Sequence, residues 1–349
     1  MEEQVFRNKI HWLSFLFSIL VIWVHSFNGE LFLGAGESAA RVMELEGRLG
    51  NGLGQIAVPG FFMVSAYLFY RNFSMDKLYN KWKSRLKTVA VPYLLWNFLY
   101  YMGYVAAPRL PGAAGIVGKE PVPFGAETMF EALFHYAYNP VFWYLYQLIL
   151  LIVLAPVLYA ILKCTWTGGI FLVLLLCFLR GNRDLPLLNA DALFYYSAAA
   201  FGALHRESWG GFVEKELKGW EAAVRALLLA GGFAAVYVMG RPGGVLFCRA
   251  LYTVALRFLG VWAAIFAVKL LPLPTAREWM KHSFFLYAIH FAWVRLFNKA
   301  AALLLPASAF SALSVFFLMP FLVLAVSSCL VNVLKRVCPA FYSLLTGGR

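Results

Sequence analysis

Two histidines stand in apolar stretches of this sequence where polar side chains are costly. His25 closes the run HWLSFLFSILVIWVH, and His290 sits inside SFFLYAIHFAWVRLFNK. A neutral imidazole can take a proton from a hydroxyl and return it later, which is the work of a general base near neutral pH. At about 100° per helical residue, Ser14, Ser18, His25 and Asn28 fall on one face of the first run. Ser283, Tyr287, His290 and Asn298 fall on one face of the second, with Arg295 oblique to it. A plainer reading competes: the serines bond back to their own carbonyls, His25 and Asn28 occupy a wet helix end, and His290 is a core residue bonded to a neighbouring helix. The residues alone leave both readings open. Arg257, deep in an apolar segment, needs an acid, a carbonyl or a cavity, and the sequence does not name its partner.

The elements that must hold these groups are membrane spans. Of 349 residues, 62% are hydrophobic and only 13% charged, with a mean hydropathy of +0.71, too apolar for a water-exposed surface of this size. Apolar stretches of roughly 17–25 residues recur, each long enough to cross a hydrocarbon core of ~30 Å. They predict an all-α, polytopic helix bundle in one domain, 1–349. About ten transmembrane helices are expected, near 10–28, 55–71, 88–107, 141–162, 167–181, 190–205, 222–239, 248–270, 283–304 and 310–334. The first is read as a retained helix, since no small-residue cleavage site follows it.

Charge sets the orientation, because Lys and Arg concentrate in short cytoplasmic segments. The connection RNFSMDKLYNKWKSRLK carries Arg71, Lys77, Lys81, Lys83, Arg85 and Lys87 against Asp76 alone. With that loop inside, the N-terminus (Arg7, Lys9) and the C-terminus (Lys335, Arg336, Arg349) also lie in the cytoplasm, and the loops 29–54 and 108–140 face outward. His25 then lies about 15 residues, or ~22 Å, from the cytoplasmic start of its span, in the outer part of the bilayer. The net charge of +13 is membrane topology on this reading, with no nucleic-acid partner. Cys164, Cys177, Cys248, Cys329 and Cys338 have no CxxC spacing, so neither a metal site nor a disulfide framework is expected. Phosphate-loop motifs and 20–50-residue repeats are absent from the sequence, and acids within the spans are too few for a carboxylate proton relay.

Four stretches, in order, resemble the acyltransferase-3 family of integral membrane enzymes, which move acyl groups onto sugars, polysaccharides and lipids of the bacterial envelope. They are VIWVHS at the end of the first span; PGFFMVSAYLFYRNF (59–73), similar to a Phe-Phe-x-x-Ser-Gly-Tyr segment; KWKSRLKTVAVPYLLWN (81–97), a basic run leading into a Pro-Tyr span; and the pair FWYLYQLILLIVLAPVL and SFFLYAIH. The resemblance covers nearly the whole chain. It implies that His25 is the catalytic histidine and that the basic run grips an acyl donor, with Arg85 its most specific match. Coenzyme A is a polyanion, so Lys83, Arg85 and Lys87 suit its phosphates, arginine best because it can bind two oxygens at once. Lys77 and Lys81 read equally well as plain cytoplasmic anchors.

The chain departs from the family at three places. Ser14 replaces an arginine eleven residues before the histidine, Tyr146 replaces the arginine of a Trp-Tyr-Leu-Arg helix, and Ala66 replaces a glycine. Arg257 or Arg295 are the candidates to substitute for the missing guanidiniums. The expected activity is acyl-CoA-dependent O-acyl transfer, acetyl first of all, onto a hydroxyl of a cell-envelope glycan, exopolysaccharide or lipid-linked sugar. The setting is a bacterial cytoplasmic membrane, with acyl-CoA as co-substrate, membrane lipid around it and no bound cofactor. Asn28 and Ser65 would support His25 or the developing oxyanion, and His290 and Trp143 would line the cavity. Two other readings remain: a carrier for a lipid-linked or small glycan using the same polar cavity without chemistry, and an inactive member of the family.

Overall fold

The computed structural model describes residues 3–110, 121–181, 185–208, 219–239 and 249–348; Cys248, Arg349 and part of the expected 108–140 loop lie outside them. In chain order its helices are α1 (Glu3–His25), α2 (Gly29–Leu33), α3 (Glu37–Gly47), α4 (Ala57–Tyr70), α5 (Leu78–Arg85), α6 (Val91–Ala106), α7 (Ala126–His135), α8 (Trp143–Val153), α9 (Ala155–Leu162), α10 (Thr165–Arg180), α11 (Ala190–Leu204), α12 (Gly219–Met239), α13 (Arg249–Leu270), α14 (Glu278–Lys281), α15 (Ser283–Leu304), α16 (Ala309–Val337) and α17 (Pro339–Thr346). No strand occurs among the described residues. Lipid offers backbone groups no partners, so apolar segments of this length fold as helices that satisfy themselves.

Among the described residues, five helical segments are long and apolar enough to cross a membrane: Glu3–Leu33, Glu37–Tyr70, Gly219–Val238, Ala250–Leu270 and Ala309–Val337. Two bent pairs, Ala126–His135 with Pro140–Val153 and Ala155–Leu162 with Thr165–Arg180, raise the number to seven. The ten-span expectation exceeds this around α6, α11 and α15. α11 has only 15 residues, α6 carries Asn97 and four tyrosines, and α15 carries His290, Arg295, Asn298 and Lys299. The expected 141–162 span is broken at Leu154, between α8 and α9. Pro156 has no N–H to give the Ile152 carbonyl one turn back, and that oxygen accepts instead from Trp82 Nε1 at 2.8 Å. The expected 29–54 loop is largely helical, with α2, α3 and a π-helical segment, Arg48–Leu53, leading toward α4.

The chain packs as two compact units. One comprises Met1–Val24, Gly47–Leu78 and Val153–Ser283. Its centre is the packing of α4 on α11. Apart from Asp191 in its first turn, α11 is largely apolar and buried nearly throughout, as a helix enclosed by others must be. Gly60 on α4 meets α1, where a Cβ would lie 2.4 Å from the fully buried Phe17 ring. Gly60→Val is therefore expected to destabilise this unit by about 1–3 kcal/mol through overpacking. The check is a lower thermal midpoint in detergent; an unchanged midpoint would contradict the close approach.

Arg257 finds its partners within the same unit: Nη1 lies 3.3 Å from Asp191 Oδ2 and Nη2 donates to Gln55 Oε1 at 3.0 Å. Asn8 ties the start of α1 to the 271–277 loop, donating to Pro274 O and accepting from the Ala276 N–H.

The other unit comprises His25–Glu46, Tyr79–Ile152 and Phe284–Arg349. Here α6 packs against α7 and α17, and α16 against α2 and α17. The C-terminal helix is docked tightly. Trp96 Nε1 donates to Leu345 O at 3.0 Å, and Gly347, at φ +67°, lies so close to Thr88 that a Cβ would come within 2.5 Å of its Cα. A second π-helical segment, Leu86–Ala90, joins α5 to α6.

Candidate active site

His25 is the last residue of α1, and Ser26–Asn28 leave the helix before α2 begins at Gly29. Unwound backbone at a buried position must have its polar groups met by other elements. Two side chains do this. Glu46, on α3 and fully buried, accepts from the Asn28 N–H at 3.2 Å and the Gly29 N–H at 3.3 Å, where a carboxylate also suits the first turn of α2. Asn298, on α15, donates from Nδ2 toward the carbonyls of Ser26 and Phe27 at 3.3 and 3.4 Å and accepts from Asn28 Nδ2 at 3.2 Å. Gly29 is required by the fit: a Cβ there would meet Met43 at 2.9 Å and Val42 at 3.0 Å.

This clamp sets His25 beside His290. The two imidazole centroids are 5.3 Å apart at a 44° tilt, and the Phe291 ring stands edge-on to His25 at 5.5 Å. His25 is half-buried and His290 fully buried. His290 Nδ1 lies 2.5 Å from the Tyr287 carbonyl. A carbonyl can only accept, so Nδ1 carries the proton and Nε2 the lone pair. Nε2 is buried with no hydrogen-bond partner, as is Asn28 Oδ1. Buried acceptors without donors are costly and few in native structures, and a site that binds hydroxyls is one place where they serve a purpose.

Tyr287 anchors the base of the site. Its hydroxyl donates to Val141 O at 2.5 Å, and the rings of Phe142 and Tyr144 lie 5.6 and 5.8 Å away. Trp143, between them, is half-buried at the start of α8. From α6, Tyr100 donates to Ala288 O at 3.0 Å, fixing α15 next to the imidazoles.

Of the residues expected to act together, the second unit thus gathers His25, Asn28, His290 and Asn298. Asn28 arrives by the clamp and not by a shared helical face, because α1 has ended. Ser18 donates to Ser14 O at 2.8 Å, the local back-bond that competes with a site role. Ser65 is half-buried on α4 of the first unit. Lys83 and Lys87 are exposed and Arg85 half-buried, on α5 and the π segment after it. Tyr146, at the position of the missing arginine, packs its ring 5.5 Å from Tyr136. Of the two candidate substitutes, Arg257 is engaged by Asp191 and Gln55, whereas Arg295 lies with its guanidinium 5.6 Å over the Phe291 ring that touches His25.

Glu46, inside the expected outward loop 29–54, is a residue that the sequence reading did not single out. Its spacing was the available signal: Ala39, Val42 and Glu46 follow a helical period, and all three are buried.

No group of three His, Cys, Asp or Glu side chains placed to hold a metal ion occurs among the described residues. The sequence model of the acyltransferase-3 family, described as an acyltransferase domain, matches residues 7–333. No curated protein and no solved structure matches the chain.

Proposed function

Since the chain belongs to the acyltransferase-3 family of membrane acyltransferases, we propose that it moves an acyl group, acetyl first of all, from acyl-CoA to a hydroxyl of a cell-envelope glycan, exopolysaccharide or lipid-linked sugar. The observation that carries this reading is the imidazole pair: His25 half-open beside a buried His290 whose Nε2 lone pair nothing occupies. His25 is the general base. It takes the acceptor's hydroxyl proton as that oxygen attacks the thioester carbonyl, the carbon–sulfur bond breaks, and the proton passes to the departing thiolate, leaving an ester and free coenzyme A. His290 is a positioning residue, its Nε2 set to take the N–H of His25 so that the other nitrogen faces the hydroxyl.

The donor approaches from the cytoplasm, where Lys83, Arg85 and Lys87 meet its phosphates, with both chain termini on that side of a bacterial cytoplasmic membrane. Arg85→Ala is expected to raise the KM for the donor by about 10–100-fold, the worth of one or two charge-assisted hydrogen bonds, while kcat stays near that of the wild type. Steady-state kinetics of the protein in nanodiscs checks this; an unchanged KM removes Arg85 from donor binding. Acyl-CoA left intact by wild-type protein in the presence of envelope acceptors would move the chain to the class of glycan carriers.

A further inference from the structure

A second feature of the same unit has a different chemistry. Between α6 and α15 runs a groove of about 450 Å³, walled by Leu99, Tyr100, Gly103, Ala107 and Leu296 and bounded by Arg295 and Lys299. Its walls are mostly apolar, with the Tyr104 hydroxyl beside those two cations, which are one helical turn apart on α15. Arg295 donates to the Tyr104 hydroxyl at 3.3 Å and lies over the Phe291 ring; among the described residues no carboxylate pairs with it. A guanidinium in a membrane helix without a counter-charge marks a place for an anion. At ~1.5 Å per residue, Arg295 and Lys299 lie about 18 and 24 Å along α15 from Ser283. Counted across a hydrocarbon core of ~30 Å, both lie in the half away from Ser283, with Lys299 about 6 Å from that boundary and long enough to reach headgroup level.

We propose that this groove is the berth of one phosphate-monoester lipid, its phosphate between Arg295 and Lys299 and its chain along the α6 wall. A phosphate monoester, with a charge of about −1.5 to −2 at neutral pH, suits two adjacent cations, and arginine's planar fork suits its oxygens. The groove adjoins His25 through Phe291. Resting on the transfer reading above, a lipid held there lies beside the imidazoles.

Gly103 supplies the decisive variant. A Cβ built on it meets nothing within 4 Å, so Gly103→Leu fills the groove without crowding the fold and leaves both cations in place. The experiment is native mass spectrometry of the full chain released from micelles containing equal dioleoylphosphatidic acid and dioleoylglycerol. Wild type is expected to retain one phosphatidic acid with at least tenfold preference, and Arg295→Gln with Lys299→Gln to lose that preference. Gly103→Leu is expected to lose the bound lipid as well. Retention unaffected by Gly103→Leu would reduce the site to a cationic surface, and displacement of the lipid by millimolar inorganic phosphate would make it a free-phosphate site; either result overturns the berth. Binding is read without any donor, so its failure leaves the His25 chemistry standing, and loss of transfer in His25 variants leaves the berth standing.

Discussion

His25→Ala is expected to lower acyl transfer by roughly 10²–10⁴-fold, the range that a positioned general base contributes. His25 sits at the end of α1 and is only half-buried, so removal of its ring should leave the helix and its membrane insertion intact. His25→Gln sharpens the result. Glutamine keeps a hydrogen-bonding side chain of similar reach but cannot accept and return a proton at neutral pH. It is expected to fall as far as alanine if proton transfer is the role, and to recover much of the rate if only a contact is needed. The measurement is free thiol released from acyl-CoA in nanodiscs with an acceptor present, beside a thermal midpoint showing that the variants remain folded. Wild-type turnover by His25→Ala would remove the mechanism.

The second large effect falls on Glu46, which touches neither imidazole. Glu46→Ala leaves the Asn28 and Gly29 N–H groups buried without an acceptor. Each such orphan costs about 1–3 kcal/mol, and the bonds at 3.2–3.3 Å place the sum near the lower end, about 2 kcal/mol. The consequence reaches further than stability, because the same carboxylate fixes the unwound turn that ends at Asn28 and so the setting of His25. Glu46→Ala is expected to lower both the thermal midpoint and kcat, with the donor KM unchanged. Glu46→Gln, whose carbonyl oxygen still accepts from both N–H groups, should restore most of each. Equal losses in alanine and glutamine variants would mean that the charge, not the acceptance, matters.

The polar residues of this site were legible because lipid makes them conspicuous. His25 and His290 stand out in apolar runs, and of the four residues that the helical period placed on one face, Tyr287, His290 and Asn298 are buried on α15 and Ser283 is not. The period failed beyond His25, since one-dimensional spacing cannot see that Asn298 and Glu46 reward the unwinding of Ser26–Asn28 with four backbone contacts. Reading 29–54 as an outward loop hid Glu46, whose burial depends on α3 being a helix. Hydropathy read 141–162 as one span because Leu154 and its neighbours are apolar; Pro156 and the indole of Trp82 decide the break. The partner of Arg257 was likewise out of reach, for Asp191 and Gln55 lie 66 and 202 residues away in the chain. Membership of the acyltransferase-3 family followed from four short motifs in order, and the family match over residues 7–333 bears that out.

The π-helical segment Leu86–Ala90 lies between the basic helix α5 and the tyrosine-rich α6. Its i→i+5 bonding accommodates one residue more per turn than an α-helix does. Loss of a single residue there need not break the helix: the turn can close as ordinary α, because a π turn with its extra residue sweeps nearly the same angle as an α turn without it. A one-residue deletion in this stretch would thus leave Arg85 near its present azimuth to α6, whereas the same deletion in a regular α-helix would rotate everything before it by about 100°. The segment is a place where the chain can change length by one residue without re-aiming the guanidinium.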